Sequence, residues 1–180
     1  MGSSYALFAN EKSINTTVSS GTVDVSAYVY NGYQYIDDGS GDKKGKWLSG
    51  NKPGAGPFGG NLEITEMTPG CGVLIEIPVD NVGTLIAKYR LHVYSKNGIF
   101  EYVDSSLYCD ADLVSISNVK LVKESNCELV VSWQRIEVSE SQNIFLFLKM
   151  PLVDSEPVSL DDTISVSVEF VFGNSITTDL

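Results

Sequence analysis

Hydrophobic and polar positions alternate most regularly between residues 82 and 95 of the chain. One face of this segment is apolar or aromatic and carries Leu85, Ala87, Tyr89, Leu91 and Val93. The opposite face is mostly wettable and carries Ile86, Lys88, Arg90, His92 and Tyr94. A period of two residues is typical of a β-strand that buries one face. We therefore expect a strand here, with its apolar face in a core.

The same alternation recurs in further segments on both sides of this strand. It predicts strands over residues 22–30, 62–65, 73–79, 113–122, 128–138, 144–150 and 163–172. Asn97 and Gly98 predict a hairpin turn that leads into another strand over residues 99–103, because this dipeptide favours tight turns with positive φ. Only residues 104–113 leave room for a short helical turn.

These strands predict an all-β fold made of one domain. Gly, Pro, Asn, Asp and Ser separate the segments, and no stretch keeps a helical period over several turns. About eight or nine antiparallel strands fit two packed layers, and a single jelly roll is the common arrangement at this size. We expect an antiparallel β-sandwich over residues 21–180, with residues 1–20 as an N-terminal arm or a weak first strand.

Residues 39–60 are the segment least like a strand, because glycine is dense there and Pro53 and Pro57 remove main-chain donors. We expect a long Gly-rich loop, and loops of this length in compact domains are usually functional or flexible. Trp47 and Phe58 lie within it. Two large aromatic side chains require an apolar partner, which is this domain, a neighbouring subunit or a ligand.

The composition places the chain among folded proteins and excludes several partners. Its 180 residues are 43% hydrophobic and only 19% charged, enough to close a core. The net charge of −11 repels phosphate backbones, so we expect no direct nucleic-acid binding. We also expect no membrane span and no signal peptide, because the apolar runs are short. Three cysteines without a CxxC motif predict buried, reduced thiols, and one disulfide bond between two of them is the alternative.

The chain offers few groups for catalysis. His92 is its single histidine, so any Ser-His-Asp or Cys-His system would need it, yet it lies in the middle of the predicted strand. We expect a half-exposed strand residue there. No GxSxG or HExxH motif occurs. A non-enzymatic function is therefore predicted, and a hydrolase with two spatially paired carboxylates ranks last among the alternatives.

Carboxylates concentrate around the first glycines of the long loop, where Asp37, Asp38 and Asp42 occur. Calcium prefers several oxygen ligands on a flexible loop, so these residues are a candidate calcium site, although they lack EF-hand spacing. A solvated acidic turn is the favoured interpretation, and the same interpretation applies to residues 161–162. No other cofactor is expected.

An outward-facing aromatic set is the one positive indication of function. Its members are Tyr28, Tyr30, Tyr33, Tyr35, Trp47 and Phe58. Flat apolar rings with a polar edge suit both protein interfaces and sugar stacking. Packing within the domain is the first interpretation, subunit contact the second and glycan binding the third. The predicted contact or stacking residues are Trp47, Phe58, Tyr33 and Tyr35.

Residues 82–95, with the sequence VGTLIAKYRLHVYS, resemble the closing strand of jelly-roll coat proteins of small icosahedral viruses. The likeness consists of a glycine, alternating aliphatic residues and a mid-strand tyrosine. Asp80 and Asn81, just before this segment, are similar to the Asp-Asn pair that some of these coats use at a calcium-bound subunit boundary. The resemblance implies a coat or projection subunit with calcium at Asp80, and leaves genome neutralisation to another protein.

Together these observations predict a non-enzymatic structural protein of a virion: a capsid, projection or decoration subunit that acts by self-assembly. The expected partners are copies of itself and other virion proteins. The expected location is the virion or, for a protein that is not viral, the cytoplasm or the extracellular space. The alternative function is a carbohydrate-binding β-sandwich module, which would use the same aromatic residues to bind a glycan receptor.

Overall fold

The computed structural model describes residues 21–37, 43–49, 61–110, 112–116, 118–152 and 159–172. Eleven strands run through this part of the chain, and the single helical element within it is a short 3-10 helix, Ile99–Glu101. The strands are β1 Val25–Ala27, β2 Asn31–Asp37, β3 Lys43–Ser49, β4 Leu62–Met67, β5 Gly72–Asn81, β6 Ala87–Ser95, β7 Asp104–Tyr108, β8 Leu121–Ser125, β9 Glu128–Ile136, β10 Ser141–Lys149 and β11 Leu160–Phe172.

Two antiparallel sheets form the layers of the molecule. In the first sheet the strand order is β3-β2-β5-β10-β7. β1 also pairs with β5, at its C-terminal end, whereas β2 pairs with its N-terminal half. In the second sheet the order is β4-β11-β6-β9-β8. The sheets pack against each other, so the predicted all-β class and the antiparallel β-sandwich are confirmed. The jelly-roll arrangement stays a prediction.

The core lies between the sheets, where the alternating apolar positions of both layers meet. On β6, Ala87, Tyr89, Leu91 and Val93 are fully buried, as the alternation predicts. Further fully buried side chains come from the neighbouring strands and are Ile75, Ile77, Leu129, Ile136, Leu146 and Ile164. Burying a side chain of this kind stabilises the fold by roughly 1.5–3 kcal/mol. The central strands of both sheets therefore provide most of the stabilising contact.

β1 and β2 run along the same edge of β5 and are separated by a bulge. Ala27 pairs with Val79 and Asn31 pairs with Glu76. The chain therefore advances four residues from Ala27 to Asn31 while β5 advances only three, which leaves one extra residue on the side of β1 and β2. The extra residue changes which positions face the core, from odd-numbered ones before the bulge to even-numbered ones after it. The outward-facing side chains that result are those of Tyr28, Tyr30, Tyr33 and Tyr35.

The segment after β6 turns back and does not form the strand predicted over residues 99–103. Gly98 adopts a φ of 82°, and the hydroxyl oxygen of Ser95 accepts hydrogen bonds from Gly98 N and Ile99 N at 2.6 and 2.8 Å. The hairpin prediction was wrong because β9 and β11 occupy both edges of β6, which leaves no edge for the following segment.

Asp162 supports the same turn. The sequence places it in a solvated acidic turn, but it is buried, and its carboxylate accepts hydrogen bonds from Ser95 Oγ and Ile99 N. The solvated interpretation was wrong for this residue, because the chain after β6 folds over it. Its neighbour Asp161 is exposed, as expected.

Three further segments differ from the sequence-based predictions. The loop predicted over residues 39–60 is interrupted by β3, which pairs with β2 along its full length. β7 occupies the region in which the sequence allows a helical turn, since β10 provides it with a strand partner. The strand predicted over residues 113–122 begins later, as β8. Residues 1–20, predicted as an arm or a weak strand, lie outside the described residues.

Candidate functional site: an aromatic face on the first sheet

The outer face of the first sheet carries aromatic side chains from three strands. Tyr33 and Tyr35 belong to β2, Phe145 and Phe147 to β10, and Tyr108 to β7. All five side chains are half-buried, and their sequence neighbours on β2 and β10 include residues that point into the core. We call these five residues the aromatic face.

The strand register brings the members of the aromatic face together. Leu74 of β5 pairs with Tyr33 on one side and with Phe147 on the other. Phe145 pairs with Tyr108 across the next strand boundary. Residues that pair directly in an antiparallel sheet share a face. A largely apolar surface therefore crosses β2, β5, β10 and β7, and within it Glu76 of β5 pairs with Phe145.

The rings at the centre of this surface contact one another in favourable geometries. The rings of Tyr35 and Phe147 are nearly parallel, with centroids 6.0 Å apart and an interplanar angle of 12°. Tyr108 meets Phe147 edge-on, at 6.3 Å and 62°. Each such pair contributes about 0.5–1.5 kcal/mol beyond the area that it buries. Phe147 is the ring that connects the two sides of the face.

Two glycines make room for the tyrosine rings. A Cβ atom added to Gly72, which pairs with Tyr35, would lie 2.5 Å from the Tyr35 ring. A Cβ atom added to Gly45 would lie 2.0 Å from the Tyr33 ring. Glycine inside a strand is unfavourable by itself, and an aromatic ring that covers its backbone compensates for this. These glycines therefore belong to the aromatic face.

Replacing Gly72 with alanine is expected to displace the Tyr35 ring and lower the free energy of unfolding. In a Tyr35→Ala background the same replacement should be neutral or stabilising, because alanine restricts the unfolded chain more than glycine does. The double-mutant cycle should give a coupling of about 1 kcal/mol, measured by urea unfolding. Additive effects of the two substitutions would contradict the close approach of Gly72 and Tyr35.

Polar side chains border the aromatic face along β1, β2 and β5. The amide nitrogen of Asn31 donates to a Glu76 carboxylate oxygen at 3.2 Å. Tyr28 and Tyr30 meet edge-on with centroids 6.2 Å apart. Burial and the negative charge of Asp80 both raise the pKa of Tyr28. An apolar centre with a polar rim is the usual organisation of a protein interface.

The structure places two of the four predicted contact residues, Tyr33 and Tyr35, on the aromatic face. Trp47 of β3 pairs with Tyr33, so its position continues the same row, but its side chain lies outside the description. Phe58 also lies outside the described residues. Whether the loop aromatics contact a subunit stays a prediction.

The half of the aromatic face that β10 and β7 supply was not predicted from the sequence. The signal was present in β10, where apolar residues occupy successive positions from Ile144 to Leu148. Ile144, Leu146 and Leu148 point into the core, which leaves Phe145 and Phe147 on the outside. A strand that is apolar on both faces indicates a second contact surface.

The candidate calcium ligands do not form a cluster in the part of the chain that the structure describes. Asp37 ends β2 opposite Lys43, and its side chain, Asp38 and Asp42 lie outside that part. Asp80 lies on β5, half-buried on the outer face. No group of three or more His, Cys, Asp or Glu side chains within the described ranges could hold a metal ion. Calcium at these aspartates stays a prediction.

The outer face of the second sheet holds a charged cluster around the single histidine. His92 Nδ1 lies 2.8 Å from a Glu128 carboxylate oxygen, and its Nε2 lies 3.5 Å from Glu169. Arg90 donates hydrogen bonds to Glu169, which lowers the pKa of that carboxyl, and the Arg90 guanidinium lies 5.0 Å from the Trp133 ring centroid. Both ring nitrogens of His92 thus face carboxylates, as in a surface ion-pair network.

No protein-family model matches the chain, and comparison with curated proteins and with solved structures gives no significant match. Among the described residues, no helix is long and apolar enough to cross a membrane. The indications of function therefore lie on the surfaces of the molecule. Of the two outer faces, the first carries the rings that contact one another around Phe147, whereas the second carries the ion pairs of His92 and Arg90 beside the exposed rings of Tyr94 and Trp133.

Proposed function

We propose that the protein is a non-enzymatic assembly subunit whose aromatic face packs against a second copy of the chain. The observation that carries this proposal is that β10 is apolar on both sides, with Leu146 and Leu148 in the core and Phe145 and Phe147 outside. An antiparallel sheet normally keeps one face polar toward solvent. A second apolar face is expected where another layer covers it, at the roughly 10 Å spacing of packed sheets.

Charge favours a second copy meeting the chain at this face. The chain carries a net charge of −11, so two copies repel each other over most of their surface. Within the aromatic surface Glu76 pairs with Phe145 and accepts a hydrogen bond from Asn31, and the border includes charges of both signs, since Lys149 pairs with Asp104. A two-fold interface needs a patch that is complementary to itself, and an aromatic centre with donors, acceptors and charges of both signs around it meets that requirement.

A virion coat, projection or decoration subunit is the setting in which we propose this assembly, with other virion proteins as further partners. A jelly-roll arrangement of the strands belongs to the same proposal. Trp47, Phe58 and the aromatic face would then form one contact surface between subunits. The mechanism is burial of apolar area between copies, without a covalent step.

The test is the absolute mass in solution, measured by light scattering for the wild type and for the double variant Tyr35→Ser/Phe147→Ser. We expect the wild type at a multiple of 19.5 kDa and the variant at 19.5 kDa. The matched control is Tyr94→Ser/Val122→Ser, which removes exposed apolar side chains from the second sheet and should keep the wild-type mass. The variant Trp47→Ala/Phe58→Ala, measured in the same way, tests whether the aromatic residues of the long loop contribute to assembly.

Two results would contradict the assembly proposal. One is a wild-type protein that stays monomeric over the whole accessible concentration range. The other is a double variant that unfolds cooperatively, as the wild type does, and yet keeps the wild-type mass. Thermal unfolding of each variant distinguishes loss of the interface from loss of the fold.

Carbohydrate binding on the same face is the second candidate function. The nearly parallel rings of Tyr35 and Phe147 favour it, because sugar rings stack on aromatic faces of this kind. A glycan array probed with and without a chelator tests both the binding and a role for calcium. Binding that Tyr35→Ser abolishes would support this function, and an array without signal in either condition would leave assembly as the proposal.

A further inference from the structure

A cavity of about 250 Å³ opens between the two sheets, beside the segment that connects them. β7 of the first sheet ends at Tyr108 and β8 of the second sheet begins at Leu121, and we call the described residues between them, 109–110, 112–116 and 118–120, the crossover. Ile116 and Val119 of this crossover form one wall of the cavity, and Ile144 of β10 forms part of another. The body of the cavity is therefore apolar. Among the described strands, β8 pairs with β9 only as far as Val131 and β7 pairs with β10 only from Phe145, so neither reaches the lining residues Gln134 and Ile144.

The floor of the cavity is a hydrogen-bonded, uncharged pair that joins the sheets. The Tyr89 hydroxyl donates to the side-chain oxygen of Gln142 at 2.8 Å. Gln142 in turn donates from its amide nitrogen to Arg135 O at 3.1 Å and to a Glu140 carboxylate oxygen at 2.9 Å. Burial raises the pKa of Tyr89, so its hydroxyl stays protonated and neutral. The hydroxyl proton of Tyr89 and the amide protons of Gln142 are therefore all used in hydrogen bonds within the protein.

Gln134 offers a polar atom of the wall to a ligand. Gln134 donates its amide nitrogen to the carbonyl oxygens of Ser132 and Trp133 at 3.1 and 2.8 Å. Its side-chain oxygen accepts no hydrogen bond from the described residues, which leaves an acceptor at the cavity. Asn143 and Cys109 complete the lining, and none of the described lining residues carries a charge.

We propose that this cavity binds a small uncharged molecule, the size of one substituted six-membered ring, that carries an N–H or O–H donor for Gln134. A charged ligand would lose its hydration without gaining a counter-charge. An apolar cavity of about 150 Å³ accepts benzene, so the larger volume here also holds a polar substituent. This site is separate from the aromatic face, because it lies between the sheets.

Cys109 provides a chemical probe of the cavity, and Cys127 provides its control. Both thiols are exposed, so the predicted burial of the cysteines was wrong for these two and holds for Cys71. Cys127 lies in the turn before β9, about 20 Å along that strand from Gln134. The variants Cys127→Ser and Cys109→Ser each leave one exposed thiol, while Cys71 is buried in both. Each is treated with benzyl or methyl methanethiosulfonate; the thiolate attacks the sulfenyl sulfur and methanesulfinate leaves.

We expect the ratio of benzyl to methyl labelling rates, followed by mass spectrometry, to be about tenfold higher at Cys109 than at Cys127. Benzyl alcohol, which is uncharged and has a donor, should slow benzyl labelling of Cys109, whereas benzoate should not. Filling the cavity with Ile116→Trp should bring the ratio at Cys109 down to that of Cys127. Ile116 is a half-buried loop residue, so this variant should fold, which thermal unfolding checks.

Three results would overturn the proposal. Equal rate ratios at Cys109 and Cys127 would show that the cavity does not capture the ring. Protection by benzoate as strong as that by benzyl alcohol would contradict an uncharged ligand class. A high ratio that persists in folded Ile116→Trp would place the captured ring outside the cavity.

Discussion

Replacing Asp162 with alanine is expected to lower the free energy of unfolding by about 4 kcal/mol. Asp162 is only 4% exposed, and its carboxylate accepts hydrogen bonds from the turn after β6. One oxygen accepts from Ser95 Oγ at 2.5 Å and from Ile99 N at 3.0 Å, and the other accepts from Asn97 N at 3.0 Å. Hydrogen bonds to a charged group contribute about 1.5–3 kcal/mol each, and buried donors that lose their acceptor add to the loss.

Urea unfolding measures this effect, with Asp112→Ala as the matched control. Asp112 is an exposed aspartate of the crossover between β7 and β8, so its replacement should change the stability by less than about 0.5 kcal/mol. Asp162→Asn keeps the side-chain size but exchanges one acceptor for a donor, and most of the loss should remain. A loss below about 1 kcal/mol in Asp162→Ala would show that the turn does not depend on this carboxylate.

Replacing Asn81 with alanine is expected to have the second largest effect, a loss of about 3 kcal/mol. Its side chain is 2% exposed. The amide nitrogen donates to Leu85 O and to Glu137 O, both at 2.9 Å, and the side-chain oxygen accepts from Gly83 N at 3.0 Å. Alanine leaves these buried main-chain groups without partners. Asn81 thus ties the connection between β5 and β6 to the end of β9.

Thermal unfolding tests the role of Asn81, and its neighbour Asp80 is the control. A loss of this size should lower the Tm by roughly 6–12 °C in a domain of this length. Asp80 lies on the outer face of β5, so Asp80→Ala should leave the Tm almost unchanged in the absence of calcium. If Asp80→Ala lowered the Tm as much as Asn81→Ala, the proposed difference between the two side chains would be disproved.

The strands that sequence analysis located best are those whose two faces differ in polarity. β6 and β11 combine a buried apolar face with a wettable one, so their period of two residues is visible without any partner. β3 has no such pattern, because its lysines and glycine carry no apolar face. Its strand conformation follows from pairing with β2, which is a property of the sheet and not of the segment.

The residues of the aromatic face and of the buried turn also differ in whether the sequence predicts them. The outward tyrosines of β2 could be predicted, because they alternate with core positions on one strand. Their contact with Phe147 could not, since it joins residues on strands that are far apart in the chain and separated in the sheet by β5. Asp162 looks like any acidic residue at the start of a strand, and its burial depends on Ser95, 67 residues earlier.

The position of β11 in the second sheet has a consequence for biosynthesis. β11 is the last strand of the described chain, yet it lies between β4 and β6, and β4 pairs with no other described strand. Ribosomes add about 5–20 residues per second, so β4 leaves the exit tunnel several seconds before its partner exists. During that interval β4 and β6 present unpaired edges, which promote aggregation. Pairing of the strands in this sheet is therefore completed only after translation of β11.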